Sequence, residues 1–112
     1  MGAWGTRAWE NDAAADWFDE LFDKTDLARR VEEALSWDVE DQAPEIRAAA
    51  YVLVALGHHF IWPSDQLQHH LALAISRLEE IRQREELKDA TDDIDEEITL
   101  LKSHLKPEGP RI

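Results

Sequence analysis

Residues 44–57 read Pro-Glu-Ile-Arg-Ala-Ala-Ala-Tyr-Val-Leu-Val-Ala-Leu-Gly, and this stretch decides the fold. Pro44 fits the first turn of a helix, where its missing amide is not needed, and Gly57 provides a stop. Between them, Ile46 and the run from Ala48 to Leu56 are apolar around most of a helical circumference. A helix of that kind belongs at the centre of a bundle. Its alanines let neighbours approach closely, and Tyr51 is expected to send its hydroxyl to the boundary.

Working outward, the apolar spacing is helical on both sides and nowhere convincingly that of a strand. Ala14, Trp17, Phe18, Leu21 and Phe22 form an i, i+3, i+4, i+7, i+8 stripe, with Asp16, Asp19, Glu20 and Asp23 mostly opposite. Thr25 or Asp26 can cap a second helix carrying Leu27, Val31, Ala34 and Leu35. Trp37 to Gln42 is polar and acidic and reads as a loop. After Gly57, His58-His59-Phe60-Ile61-Trp62-Pro63 makes a connection whose apolar members fold back over the core.

Ser64 is a plausible cap for a fourth helix, in which Leu67, Leu71, Ala74, Leu78 and Ile81 recur at intervals of four and three. Ile94, Ile98, Leu101 and Leu105 keep the same rhythm, so the two stretches can pair as an antiparallel hairpin with a coiled-coil-like seam. The rival is one continuous helix. Crowded like charges at Asp89, Asp92, Asp93 and Asp95, with Thr91 and Asp92 as caps, favour a break. The expectation is a single all-α domain over residues 1–112: a compact bundle of about five helices, near 12–24, 26–37, 44–57, 65–88 and 92–105. Lys106 to Pro110 reads as a frayed tail.

The N-terminus carries the most distinctive motif. Gly2 and Gly5 flank Ala3 and Trp4, a pattern suited to a tight turn or to close passage beneath large rings. Asn11 is a good N-cap, and Asp12 complements the positive end of the helix dipole. Trp4, Trp9 and Trp17 lie near this helix start and are expected to form one aromatic cluster that packs the Gly/Trp segment on the core. The opening resembles that of a bacterial family of small proteins, the DUF4259 domain of unknown function, whose members begin Gly-x-Trp-Gly-x-Gly and continue Phe-Glu-Asn-Asp-x-Ala-x-Asp-Trp. Here Trp9-Glu10-Asn11-Asp12 and Asp16-Trp17 hold those places, with Arg7 where the family has glycine and Trp9 in place of phenylalanine. The resemblance implies a compact helical domain and brings no activity, cofactor or catalytic residue with it.

Composition narrows the functional classes. Twenty-five acidic residues against 12 basic ones give a formal net charge of −13. Nucleic acid and an anionic membrane surface are therefore not expected partners, since both demand clustered Lys and Arg. The acid is uneven: residues 1–26 hold seven carboxylates and two bases, and residues 79–97 hold ten and three. A field of that sign accelerates encounter with a basic protein, although it also serves solubility. The chain has no cysteine, which removes disulfides and thiolate chemistry. There is no secretory signal pattern and no run long enough to span a bilayer, so a cytoplasmic setting is expected.

Candidate sites are few. His58-His59 and His69-His70 are the best metal candidates, with Glu40 or Asp65 able to add oxygen. Adjacent helical residues point about 100° apart, however, so each pair offers at most one comfortable ligand. The spacing matches no zinc motif, and no cofactor is expected. Glu10, Asp12 and Asp16 could share a cation or a proton if desolvated in a cleft, but helix capping accounts for the first two. Trp37 and Trp62, at helix ends or in loops, are expected to be partly exposed and open to partner contact. No nucleophile elbow or phosphate-binding loop is present.

Three functional classes follow. The leading one is a non-enzymatic interaction or regulatory module, of the inhibitor or immunity kind, that presents an acidic face to a basic protein. The second is a metal binder or small metal-dependent enzyme built on the histidine pairs and N-terminal carboxylates. The third is a structural homodimer joined through the heptad hairpin.

Overall fold

The computed structural model describes residues 8–59, 61–84 and 89–105. Five helices succeed one another: α1 (Asp12–Thr25), α2 (Leu27–Leu35), α3 (Val39–Leu56), α4 (Ser64–Arg82) and α5 (Thr91–His104). No strand occurs among the described residues, and the fold is an all-α bundle. Helix α3 packs on α2, α4 and α5, and α4 touches every helix except α1.

The alanine-rich stretch explains that centrality. Ile46, Ala49, Ala50 and Leu53 are buried, and small side chains at adjacent positions let three helices approach one axis. The α4 stripe Leu67, Leu71, Ala74, Leu78 and Ile81 is wholly buried and faces Ile94, Ile98 and Leu101 of α5, while Leu105 packs against the core from its edge. These residues make the seam, and Arg82 with Asp95 pins the surface end of it through a two-point ion pair.

Side-chain caps open two of the five helices, α1 and α3. Asn11 Oδ1 accepts from the Ala14 amide at 2.8 Å and opens α1. Asp26 closes α1 and opens α2 in the left-handed region, at φ 58° and ψ 32°, a conformation a short polar side chain tolerates better than a branched one.

Several boundaries differ from expectation. Helix α2 ends at Leu35, two residues early, where the Ser36 and Trp37 amides tighten onto the Glu33 and Ala34 carbonyls. The segment 37–42 is not all loop, because Asp38 caps the Glu40 amide at 2.9 Å and helical structure begins at Val39. Pro44 still makes its mark: Gln42 takes a non-helical φ of −130°, so the turn before the proline is set off by a kink. Helix α4 ends at Arg82, where Gln83 and Arg84 turn back to the carbonyls of Glu80 and Ile81. Residues 85–88, the expected end of this helix, lie outside the described residues, as do Trp4 and the rest of the N-terminal Gly/Trp segment.

Helix α1 is looser than its stripe implies. Phe22 alone is buried, Phe18 is partly covered, and Trp17 is 59% exposed. Trp17 sets its ring edge against Phe18 and Trp9 stacks on His58, whereas Trp4, the third member of the expected aromatic cluster, lies outside the described residues.

Candidate functional site

The most unusual chemistry lies where the α3–α4 connection meets α4. Trp62, expected to be partly exposed, is 1% exposed and thus closed to any partner. The connection folds over because the Ile61 and Trp62 amides both return to the His58 carbonyl, at 3.0 and 3.1 Å, and this short turn carries the indole inward. There Phe22 of α1 meets the indole edge-on, with ring centroids 5.0 Å apart.

The indole nitrogen needs an acceptor when buried, and His70 supplies it. Trp62 Nε1 donates to His70 Nδ1 at 3.0 Å. An indole can only donate, so Nδ1 holds a lone pair and the neutral ring carries its proton on Nε2. Nε2 faces Glu32 of α2, 3.4 Å from Oε1, while the other carboxylate oxygen lies 3.5 Å from Nε2 of the exposed His69. His70 is 1% exposed, and burial holds its pKa below the ordinary histidine value despite the nearby Glu32 carboxylate.

The histidine pairs are thus split by their surroundings. His69 lies on the surface and His70 in the core, as a 100° rotation between neighbours dictates. His58 stacks on Trp9 at 5.4 Å and stands 4.2 Å from the His104 ring, while His59 is exposed. His104 Nε2 in turn meets the Val54 carbonyl at 3.2 Å. Among the described residues, no three His, Asp or Glu side chains are arranged to hold a metal ion. The Trp62 bond adds a chemical reason at His70, since the nitrogen aimed at Glu32 carries a proton rather than a free lone pair.

The N-terminal carboxylates take other positions. Glu10 is half-buried beside the helix start, whereas Asp12 and Asp16 are exposed. Asp16 joins Asp19, Glu20, Asp23 and Asp26 along an open groove, closed on its far side by Ala28, Arg29, Pro63 and Gln66, with Phe22 among its lining residues. Arg29, the one cation of that lining among the described residues, is held by Asp26 at 2.9 Å. Trp37 is 37% exposed, and its carbonyl accepts from Arg77 of α4 at 2.6 Å. Glu40 and Asp65 are both exposed near their helix starts.

A family model described as a domain of unknown function (DUF4259) matches residues 2–106. The chain belongs to that family. No curated protein and no solved structure matches it. Among the described residues of this DUF4259 member, no helix is long and apolar enough to cross a membrane.

Sequence reasoning missed Glu32 and His104. Glu32 sits one position from the buried Val31 and one turn from Ala28, a flank from which a carboxylate can reach inward. His104 follows Leu101 by three residues, on the buried stripe of α5.

Proposed function

We propose that this protein is a non-enzymatic interaction module of the cytoplasm that uses the acidic groove of α1 to engage a basic protein. The observation that carries the reading is the pairing of five carboxylates along one groove with an exposed Trp17 on the same helix. Carboxylates steer a cationic partner and set its orientation, whereas an accessible indole supplies the apolar and cation–π contact that gives an interface its affinity. Arg29 does little to offset that field, being already engaged by Asp26. The formal charge of −13 extends the attraction well beyond the groove at low ionic strength.

A regulatory or inhibitory role fits such a surface, because covering a basic patch on a partner blocks whatever that patch binds. The test is affinity capture with the intact protein, repeated with Trp17→Ala and with the double variant Asp19→Asn/Asp23→Asn. The expected result is a basic protein whose retention falls steeply between low and high salt and is lost with either variant. Retention indifferent to both variants, or capture of acidic proteins only, overturns the proposal.

A further inference from the structure

We propose that the Trp62–His70–Glu32 chain is a proton-sensitive clasp: adding a proton to His70 breaks the Trp62 bond and frees the indole from its pocket while the helical seam stays folded. The inference is independent of any partner for the acidic groove.

The argument starts from hydrogen-bond inventory. Neutral imidazole has one donor and one acceptor, and here the acceptor is taken by an indole that can only donate. Protonated imidazole has two donors and no acceptor. Turning the ring over does not help, since neither nitrogen of the cation can receive the indole hydrogen. The proton and the Trp62 bond are therefore mutually exclusive, and at 1% exposure each, neither side chain has water to turn to.

The surrounding charges decide where the balance falls. Glu32 from α2 and Asp65 from the start of α4 favour the cation, whereas His69 opposes it. Helices α3 and α5, packed on the same α4, add no charged group to that set among the described residues. Glu32 stands off at 3.4 Å with 44% of its side chain exposed, so solvent shares its charge. Burial outweighs it, and the neutral, clasped form prevails at neutral pH.

Release is local because the rest of the core has nothing to titrate. Besides the indole of Trp62, His70 is the sole buried polar side chain among the described residues; the α4–α5 seam is aliphatic, and the Arg47–Glu97 and His104–Val54 contacts between α3 and α5 are only partly buried. The connection between Gly57 and Pro63 is short; the buried Ile61 and Trp62 both enter the core from it, and His58 stacks on Trp9. Once the indole leaves, Phe22 loses its edge contact, and the groove flanked by Phe22 and Pro63 changes shape.

The experiment is a pH titration of the uniformly 15N-labelled protein, following the Trp62 indole N–H, assigned by its loss in Trp62→Phe, and the His70 ring nitrogens. At pH 7.5 Nδ1 should show the unprotonated signature and the indole should be strongly protected from exchange. As pH falls below the ordinary histidine value of about 6.5, indole protection corrected for intrinsic exchange should fall at least tenfold, together with His70 protonation. The amides of Leu71 and Leu78 should stay protected throughout. His70→Asn, which keeps an acceptor near Nδ1 but does not titrate, should retain indole protection at both pH values. Three results overturn the clasp: a proton on Nδ1 at pH 7.5, an indole that stays protected after His70 is charged, or simultaneous loss of indole and α4 protection. Should the asparagine variant not fold, the wild-type titration alone decides.

Discussion

The Arg47 guanidinium grips the Glu97 carboxylate at two points, Nε to Oε1 and Nη2 to Oε2, each 3.0 Å. About two helical turns further on, His104 meets the Val54 carbonyl, and both contacts join residues 50 positions apart in the chain. A constant offset means that α3 and α5 run parallel, with α4 returning between them. The ion pair sits at one end of that alignment, and the His104 contact sits at the other.

Both partners of the Arg47–Glu97 pair are about three-quarters covered or more, and Glu97 keeps the guanidinium firmly charged through this hydrogen bonding. A double-mutant cycle with Arg47→Ala and Glu97→Ala should therefore give a coupling of about 1 kcal/mol, above the level of an exposed pair. Arg47→Lys should recover less than half of it, because an ammonium cannot occupy both oxygens in the same geometry. Additive single effects in urea denaturation would show that the parallel register rests on packing alone.

Gly57 is required for a steric rather than a torsional reason. Its φ of −79° is open to any residue, yet an added Cβ would run into the Leu53 carbonyl oxygen and come within 3.1 Å of Leu53 Cδ2. That carbonyl is the acceptor for the Gly57 amide at 2.7 Å, so it cannot move away without loosening the end of α3. Gly57→Ala should cost roughly 1–3 kcal/mol, read as a lowered thermal midpoint.

Asp26 presents the opposite case. It stands at φ 58°, and its side chain holds Arg29 in an exposed ion pair. Left-handed backbone costs a non-glycine residue roughly 1–2 kcal/mol, which is more than an exposed pair returns. Asp26→Gly should therefore stabilise the protein by about 0.5 kcal/mol or more in denaturant titration. Asp26→Val should destabilise it, since a branched side chain tolerates this conformation least.

What could be read from the sequence follows the range of the forces involved. The α4 and α5 stripes and the Asn11 cap are set by neighbours three and four residues away, and the structure places them in those roles. Trp17 fits the α1 stripe by spacing yet is 59% exposed, and period alone cannot say which part of a stripe is covered. Trp62 reads as exposed from its Pro-flanked connection, while the turn onto the His58 carbonyl carries it inside. The partner of His70 is harder still to find, because Glu32 lies in a different helix and only packing of α2 on α4 brings the two together. The acidic groove is half legible: its α1 carboxylates stand out as charge, and its far wall comes from α2 and α4.

Glu32 tests the electrostatic account of His70 directly. The carboxylate favours the imidazolium, both through hydrogen bonding and through its charge. Glu32→Gln should accordingly move the His70 titration midpoint further down, as followed by ring 15N resonances. A midpoint that rises would show that Glu32 does not face the ring in solution.

Trp62→Phe separates the hydrogen bond from the ring. Phenylalanine keeps an aromatic face for Phe22 but leaves His70 Nδ1 without a donor in a site closed to water. The expected cost at pH 7.5 is roughly 1–3 kcal/mol. The dependence on pH should change as well. In the wild type the folded His70 binds its proton less readily than the unfolded chain, so stability is complete above the ordinary histidine value, about pH 6.5, and is lost as pH falls toward the depressed one. Without the indole, charging Nδ1 no longer breaks a bond, and the acid-side loss should be shallower. Urea denaturation at pH 7.5 and 5.5 measures both effects: the two proteins should differ most at the higher pH and converge at the lower one.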